Sequence, residues 1–262
     1  MGKISQAGGF TCPPGKMQVV GWLAFALQLA TYYVLLAAFW HPKVVRPCYT
    51  VLVTSALVSG FMCTVKDPSD QCSKPGLEHM VKCQLCKRQV RLSSKHCSLC
   101  GRCITGFDHH CDWLNICIGS ANYRYFLILL ISLEALTSVQ VVCGAVGLTD
   151  LGKETERDWK WGLMVAGVVV IELCLVVLVV ILGFLLCFHA FLRAKSMTTY
   201  EFYLYRRPRT TQVTPSKYET TLKITNKNRN PTFDSTSIGS KAPFRIDGNT
   251  LDLSELPLPT FH

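Results

Sequence analysis

Acidic residues are scarce in this sequence, and long stretches of it carry no charge at all. Its 262 residues include 17 aspartates and glutamates against 27 lysines and arginines, which gives a formal net charge of +10. Yet 49% of the residues are hydrophobic, and the mean hydropathy is +0.26. High charge and high hydropathy rarely coexist evenly in a soluble protein. Here they are segregated along the chain, which is typical of a membrane protein with basic loops.

The patterns of a cleaved signal peptide, of N-myristoylation and of a disulfide framework are also missing. No small-residue cleavage site follows the first apolar run, so we expect this run to remain in the mature protein. Gln6 stands where the N-myristoylation pattern has Ser or Thr. Seven of the 14 cysteines lie in the short basic segment 83–117 at metal-ligand spacing. This clustering favours a reducing compartment over a disulfide framework.

Four apolar runs predict four transmembrane helices. Each approaches the length that a helix needs to cross a hydrocarbon core of about 30 Å. The runs cover residues 17–40, 48–65, 126–148 and 162–191. The sequence therefore predicts an all-α integral membrane protein, with a cytosolic, loop-rich, Cys-rich zinc-binding domain between transmembrane helices 2 and 3. Its predicted parts are an N-terminus (1–16), helices 1 and 2 (17–65), the zinc domain (66–124), helices 3 and 4 (125–192) and a tail (193–262), mostly disordered after about residue 210.

The basic residues predict the orientation of the helices. Only five of the 27 lie in the short turns after the first and third runs, and the other 22 lie in the N-terminus, the middle segment and the tail. An even number of spans places these three segments on one side, which the positive-inside rule makes the cytosol. The zinc domain and both termini are thus predicted to be cytosolic. The span lengths suit the endoplasmic reticulum, the Golgi or the plasma membrane.

A repeat of 14 residues organises the middle segment. The pattern C-x2-C-x9-H-x6-C occurs twice, as Cys83, Cys86, His96, Cys103 and as Cys97, Cys100, His110, Cys117. Three thiolates and one imidazole form a complete tetrahedral ligand set for a structural zinc ion. Filling the sites in sequence order is the alternative, with Cys83, Cys86, His96, Cys97 in one and Cys100, Cys103, His110, Cys117 in the other. The periodicity favours the interleaved pairing, because only that pairing makes the two sites equivalent.

One thiol of the segment is surplus to both sites. Cys111 follows Asp108, His109 and the ligand His110. His109 is placed to take the thiol proton, and Asp108 to fix the imidazole tautomer, as nucleophilic catalysis requires. On spacing alone, the competing interpretation is a purely structural or nucleic-acid-binding zinc module.

The predicted position of Cys111 favours catalysis. The thiol precedes the third apolar run by only a short segment, so we expect it at the cytosolic membrane surface. A substrate with a polar head and an apolar tail, such as acyl-coenzyme A, suits such a site, because its tail can insert between the helices. Its phosphates would meet basic side chains of the zinc domain, for which the candidates are Lys87, Arg88, Arg91, Lys95 and Arg102.

These residues resemble a known family. The tetrapeptide D-H-H-C at 108–111, its continuation W-L-N-I-C-I-G-S-A-N-Y-R-Y-F at 113–126 and T-T-Y-E at 198–201 are similar to motifs of the DHHC protein S-acyltransferases (palmitoyltransferases). The resemblance implies that palmitoyl-coenzyme A acylates Cys111 and that His109 is the base, oriented by Asp108. It also implies two structural Zn²⁺ ions in the interleaved pairing. The implied partners are a lipid bilayer, acyl-CoA and membrane-associated proteins with cytosolic cysteines, and no nucleic acid.

The chain departs from the family pattern at three places, one of which is Ser69, where the usual D-P-G has Gly. Asp112 stands where Pro is common, and Ile116 where Asn is common. Within the apolar runs, Glu134 and Glu172 are counted to about the same membrane depth, which predicts a hydrogen bond between them. The alternative is that each carboxyl bonds separately to a hydroxyl or a backbone carbonyl. The competing function is a non-catalytic membrane adaptor whose zinc module binds a protein partner.

Overall fold

The structure is a computed structural model that describes residues 8–10, 13–33, 45–71, 80–151, 153 and 158–206. One compact unit, Met1–Tyr203, contains nearly all of them; a second unit is Leu204–His262. The helices are α1 (Lys16–Thr31), α2 (Val45–Val65), α3 (Tyr123–Leu151), α4 (Trp159–Ala194) and α5 (Thr199–Arg206). Six short strands lie between α2 and α3: β1 (Met80–Lys82), β2 (Gln89–Arg91), β3 (Ser94–Cys97), β4 (Arg102–Thr105), β5 (His109–Cys111) and β6 (Ile116–Ile118).

Three helices in the described part of the chain are long and apolar enough to cross a membrane. They are α2, α3 over Tyr123–Asp150, and α4. The 16 residues of α1 span only about 24 Å, less than a hydrocarbon core. Residues 34–40 of the predicted first span lie outside the described residues, as does the tail after residue 206. Of the four predicted transmembrane helices, the first, over residues 17–40, therefore stays a prediction.

Polar side chains buried at depth tie the helices together. Gln28 of α1 donates from Nε2 to Thr137 Oγ1 of α3 at 3.0 Å. Gln140 of α3 donates from Nε2 to Thr31 Oγ1 at 2.7 Å and accepts from Tyr49 of α2 at 3.1 Å. Because hydrocarbon offers no water to replace these bonds, such contacts hold transmembrane helices in one arrangement.

The outer surface of α4 consists of exposed apolar side chains. Leu163 is 67% exposed and Phe184 is 74% exposed. So large an apolar surface would be costly in water, whereas lipid tails cover it without penalty. The helix thus has the surface of a lipid-facing segment.

The predicted hydrogen bond between Glu134 and Glu172 is wrong. The Glu172 carboxyl packs against Gly144 of α3, while Glu134 Oε1 lies 3.5 Å from where a Cβ at Gly183 of α4 would be. Positions 134 and 144 are roughly 15 Å apart along α3. The cause is helix length: α3 has 29 residues and α4 has 36, so counting depth from the ends of the apolar runs misplaces both carboxyls.

The segment predicted to be loop-rich forms three antiparallel hairpins: β1–β2, β3–β4 and β5–β6. They are equivalent at a shift of 14 residues, because Lys82 pairs with Gln89, His96 with Cys103 and His110 with Cys117. We call the turn that joins the two strands the tip of each hairpin. Each tip has one residue with positive φ, and these residues are also 14 apart: Lys87 (58°), Gly101 (66°) and Asn115 (52°).

Asn122 fastens the hairpins to the helices. Its buried side chain donates from Nδ2 to Cys63 O of α2 at 3.1 Å and to Cys117 O of β6 at 3.0 Å. Its Oδ1 accepts from Gly119 N–H at 2.9 Å, immediately before α3 begins. The third hairpin is therefore held at one end of the helices.

Candidate active site

Two groups of four side chains converge between the hairpins. They are Cys83, Cys86, His96, Cys103 and Cys97, Cys100, His110, Cys117, and the ligand atoms of each group lie within 4.8 Å of one another. These are the groups of the interleaved pairing, and the fold does not assemble the sequential alternative. The tip of one hairpin supplies the first two cysteines of each group, and the His–Cys pair of the next hairpin supplies the rest.

The donor sets fit a tetrahedral metal ion. Ligands at the usual Zn–S distance of about 2.3 Å are roughly 3.8 Å apart. Here Cys86 Sγ lies 3.1 Å from His96 Nδ1 and 3.6 Å from Cys103 Sγ. In the second group, Cys100 Sγ lies 3.3 Å from Cys117 Sγ. Burial raises the pKa of Cys86 and Cys103, so only a cation between them would hold both as thiolates.

Cys111 occupies the first ligand position of a tip that has no following hairpin. Positions 83 and 97 of the repeat become 111, while positions 86 and 100 become Leu114. No group of metal-ligating side chains in the described part of the chain includes Cys111. The repeat thus ends on a thiol that keeps the geometry of a metal ligand but has no metal site to join.

Asp108 and His109 form an ordered pair beside this thiol. His109 Nδ1 donates to Asp108 Oδ2 at 2.7 Å, and Asp108 is 2% exposed. Burial raises the pKa of Asp108, but the hydrogen bonds from His109 and Thr199 outweigh it and leave the pKa below its ordinary value. Burial lowers the pKa of His109, but hydrogen bonds with Asp108 and Cys111 raise it to about 9. A carboxylate thus holds an imidazolium next to the thiol.

The T-T-Y-E segment supports this pair through the start of α5. Thr198 N–H donates to Glu201 Oε2 at 2.7 Å, and Thr198 Oγ1 accepts from Glu201 N–H at 3.1 Å. This reciprocal capping box satisfies N–H groups that a helix start leaves free. Thr199 donates to Asp108 from both its backbone N–H and its Oγ1, at 2.8 Å each. The segment therefore ties the chain after α4 to the third hairpin.

The Cys111 thiol faces an apolar cluster built by three helices. Cys111 is 8% exposed and packs with Cys63 of α2, Phe126 and Leu130 of α3, and Ile118 of β6. Leu182 and Leu186 of α4 close the cluster. The nucleophile candidate thus lies where an apolar chain could extend from its sulfur between helices.

The candidate phosphate-binding residues have different surroundings. Arg102 is buried in an ion pair with Asp67 at 2.6 Å, which removes it from the surface. Arg88 donates to the backbone of Asp70 at 3.2 Å, and Arg91 N–H donates to the Asp70 carboxylate at 2.8 Å. Lys95 instead lies 6.0 Å from the Tyr200 ring centre. Lys87 is exposed at the first tip.

Sequence reasoning missed His189, which completes the surroundings of His109. Its ring is 1% exposed, lies 6.1 Å from the His109 ring and packs on Phe126 at 5.0 Å. Tyr123 Oη is 3.1 Å from His189 Nδ1. A lone histidine within a long apolar run, near the cytosolic end predicted for that run, was the available signal.

Asp112 and Ile116, which depart from the family pattern, lie in different surroundings. Asp112 Oδ1 lies 3.5 Å from His110 Nε2, the ring nitrogen that points away from the cysteines. A carboxylate in that position orients a metal-bound histidine. Ile116 is 1% exposed and pairs with Cys111 across the third hairpin.

Fold and site together define a membrane protein whose cysteine-rich hairpins present a Cys–His–Asp arrangement at the ends of its helices. Residues 77–206, about half of the chain, match the family model described as DHHC palmitoyltransferase. A stretch of 98 residues is 34% identical to "Probable protein S-acyltransferase 5" of Arabidopsis thaliana. That match covers 37% of this chain and 21% of that protein, so the chain spans about a fifth of its relative. The chain belongs to the DHHC palmitoyltransferase family, which confirms the resemblance.

Proposed function

We propose that this chain is a protein S-acyltransferase that carries a long-chain acyl group on Cys111. The main support for this proposal is the position of the Cys111 thiol. Cys111 lies beside the Asp108–His109 pair and, at the same time, in an apolar cluster of three membrane helices. A nucleophile that faces both an imidazole and an apolar interior suits a thioester with a long hydrocarbon tail.

The proposed reaction has two steps, and each exchanges one thioester for another. In the first step, the Cys111 thiolate attacks the thioester carbonyl of palmitoyl-CoA, and the CoA sulfur leaves and takes a proton from His109. In the second step, the thiol of an acceptor protein gives its proton to His109 and attacks the acyl-Cys111 carbonyl, which releases Cys111. Both bonds broken and formed are thioesters, so the transfer is nearly isoenergetic, and the kinetics are ping-pong.

The two cysteine–histidine groups would each hold a structural Zn²⁺ ion. Their ligands are Cys83, Cys86, His96, Cys103 and Cys97, Cys100, His110, Cys117. The ions would supply folding free energy to hairpins whose apolar core is small, and they would take no part in the chemistry. The acceptors would be cytosolic cysteines of membrane-associated proteins, since Cys111 lies at the helix ends. Lys87, Arg88, Arg91 and Lys95 remain the proposed contacts for CoA phosphates. Lys87 is exposed and Lys95 lies near the Tyr200 ring, while Arg88 and Arg91 hydrogen-bond to Asp70.

Self-acylation of the purified protein tests the proposal. The zinc-loaded full chain in detergent is incubated with palmitoyl-CoA, and Cys111→Ser is treated in parallel. A label that hydroxylamine releases, and that the variant lacks, is the expected result. A folded wild-type protein that takes no label would overturn catalysis and favour the membrane adaptor.

A further inference from the structure

The third hairpin tip lacks the fastening that the first two have. In each of those, two cysteines of the tip converge with the His–Cys pair of the next hairpin. At the third tip, Leu114 replaces the second cysteine and no hairpin follows. Two-stranded hairpins are marginal by themselves in water. Something else must therefore hold the tip that begins at Cys111.

The N-terminal segment contacts this tip directly. Gln18 of α1 is 1% exposed, and its Nε2 donates to Gly9 O at 3.1 Å and to Leu114 O at 3.5 Å. Asn115 Nδ2 also donates to Gly9 O, at 3.4 Å. Gly9 N–H in turn donates to Thr64 O of α2 at 3.1 Å. These hydrogen bonds join the tip to the ends of two helices, and we call them the clasp.

Glycines allow the backbones of the clasp to approach so closely. A Cβ at Gly9 would overlap Leu114 O and lie 2.6 Å from Thr64 Cγ2. A Cβ at Gly21 would lie 3.3 Å from the Trp113 ring. By contrast, a Cβ at Gly8 would meet only Thr64 O, at an ordinary 3.5 Å. The fit is therefore specific to position 9.

We propose that the clasp takes the place of a metal ion at the third tip and that Gly9 and Gln18 are positioning residues for Cys111. The link to the thiol is short, because Leu114 N–H donates to Cys111 O at 3.2 Å. A shift of Leu114 therefore moves the nucleophile relative to His109. The inference rests on the proposed acyltransferase function where self-acylation is measured. It does not rest on that function where alkylation of the Cys111 thiol is measured.

The experiment compares Gly9→Ala and Gln18→Met with Gly8→Ala in the full chain. Gly8→Ala is the matched control, since it adds the same methyl group one residue away without a clash. Four quantities are measured: the maximal self-acylation rate, the half-saturating palmitoyl-CoA concentration, the zinc content and the melting temperature. Peptide-resolved alkylation of Cys111 by iodoacetamide gives a fifth readout that needs no acyl transfer.

A positioning role predicts a selective effect. Gly9→Ala and Gln18→Met lower the maximal rate about tenfold or more. The half-saturating concentration, the zinc content and the melting temperature stay as in Gly8→Ala. The double variant loses little more than either single variant, because both act through Leu114.

Two results would overturn the inference. One is equal rates and equal Cys111 alkylation in Gly9→Ala and Gly8→Ala. The other is a loss of rate that merely follows loss of zinc or of melting temperature, which marks a general structural role. If the wild type does not self-acylate, the proposed function fails instead, and the alkylation rates still decide whether the clasp positions Cys111.

Discussion

Thr199 holds the carboxylate of Asp108 from 91 residues further along the chain, with two hydrogen bonds of 2.8 Å. One donor is the backbone N–H and the other is the hydroxyl, and they reach different oxygens of the carboxylate. The same carboxylate accepts from His109 at 2.7 Å. The orientation of the imidazole therefore depends on a residue in the helix that follows the last membrane span.

Replacing Thr199 with Val should slow self-acylation by at least about tenfold, because a hydrogen bond to a charged group contributes roughly 1.5–3 kcal/mol. Val keeps the backbone donor and the approximate volume. Thr199→Ser keeps both donors and is the control, which should remain within about twofold of wild type. Initial rates with radiolabelled palmitoyl-CoA measure the difference. Equal rates for the Val and Ser variants would show that the hydroxyl is dispensable.

Asp108→Asn should change the pH dependence of Cys111 alkylation, because it lowers the pKa of His109. With Asp108, the pKa of His109 is raised to about 9, so its imidazolium form is complete well below that pH and is lost as the pH rises through it. Asn removes the carboxylate, and the His109 pKa falls toward or below its ordinary value of about 6.5.

The largest difference in alkylation of Cys111 is therefore expected between about pH 6.5 and pH 9. In that window only the wild type has an imidazolium beside the thiol. Below it both forms are charged, and above it both are neutral. Iodoacetamide rates from pH 5.5 to 10 provide the test, and a constant ratio across this range would contradict the assignment.

Zinc counts should distinguish the two ligand pairings. In the interleaved pairing Cys86 and Cys103 serve one site, so Cys86→Ser with Cys103→Ser should leave one zinc ion per chain. In the sequential pairing they serve different sites, and the double variant would lose both. Cys111→Ser should keep two ions. Metal analysis of purified protein gives the counts, and complete chelation should abolish self-acylation because metal binding supplies folding free energy to such small hairpins.

Gly144→Ala should disturb the packing of α3 against α4. A Cβ there would overlap the Glu172 carboxyl. Glu172 is only 8% exposed, so its carboxyl has little room to turn away, and overpacking usually costs about 1–3 kcal/mol. Gly167→Ala is the control, since nothing lies within 4 Å of its added Cβ. We expect a lower melting temperature for the first variant only. Adding Glu172→Ala should relieve the loss, and an uncorrected loss would place the clash elsewhere.

Local patterns predicted much of this site. The spacing of 14 residues is enough to group the eight metal-ligand candidates, because each His-x6-Cys pair lies across one hairpin. The same spacing extends to Lys87, Gly101 and Asn115. A search for cysteines alone misses the third copy of the repeat, the hairpin β5–β6, because Leu114 stands there in place of the second cysteine.

Contacts between distant parts of the chain were not predictable in the same way. Gln18 and Leu114 are 96 residues apart in the chain, and no periodicity links the two positions. His189 reaches His109 through the packing of α4 on α3. The depths of Glu134 and Glu172 were wrong because apolar runs mark only part of each helix.

The clasp also has a consequence for the order of assembly. Its Gln18–Leu114 hydrogen bond joins residues 96 positions apart, whereas the strands of each hairpin pair over short loops. Short loops close early and long ones late, because closing a long loop costs more chain entropy. The hairpins can thus take up metal while the chain is still being inserted. If the clasp positions Cys111 as we propose, an incompletely inserted chain is expected to carry zinc without acylating itself.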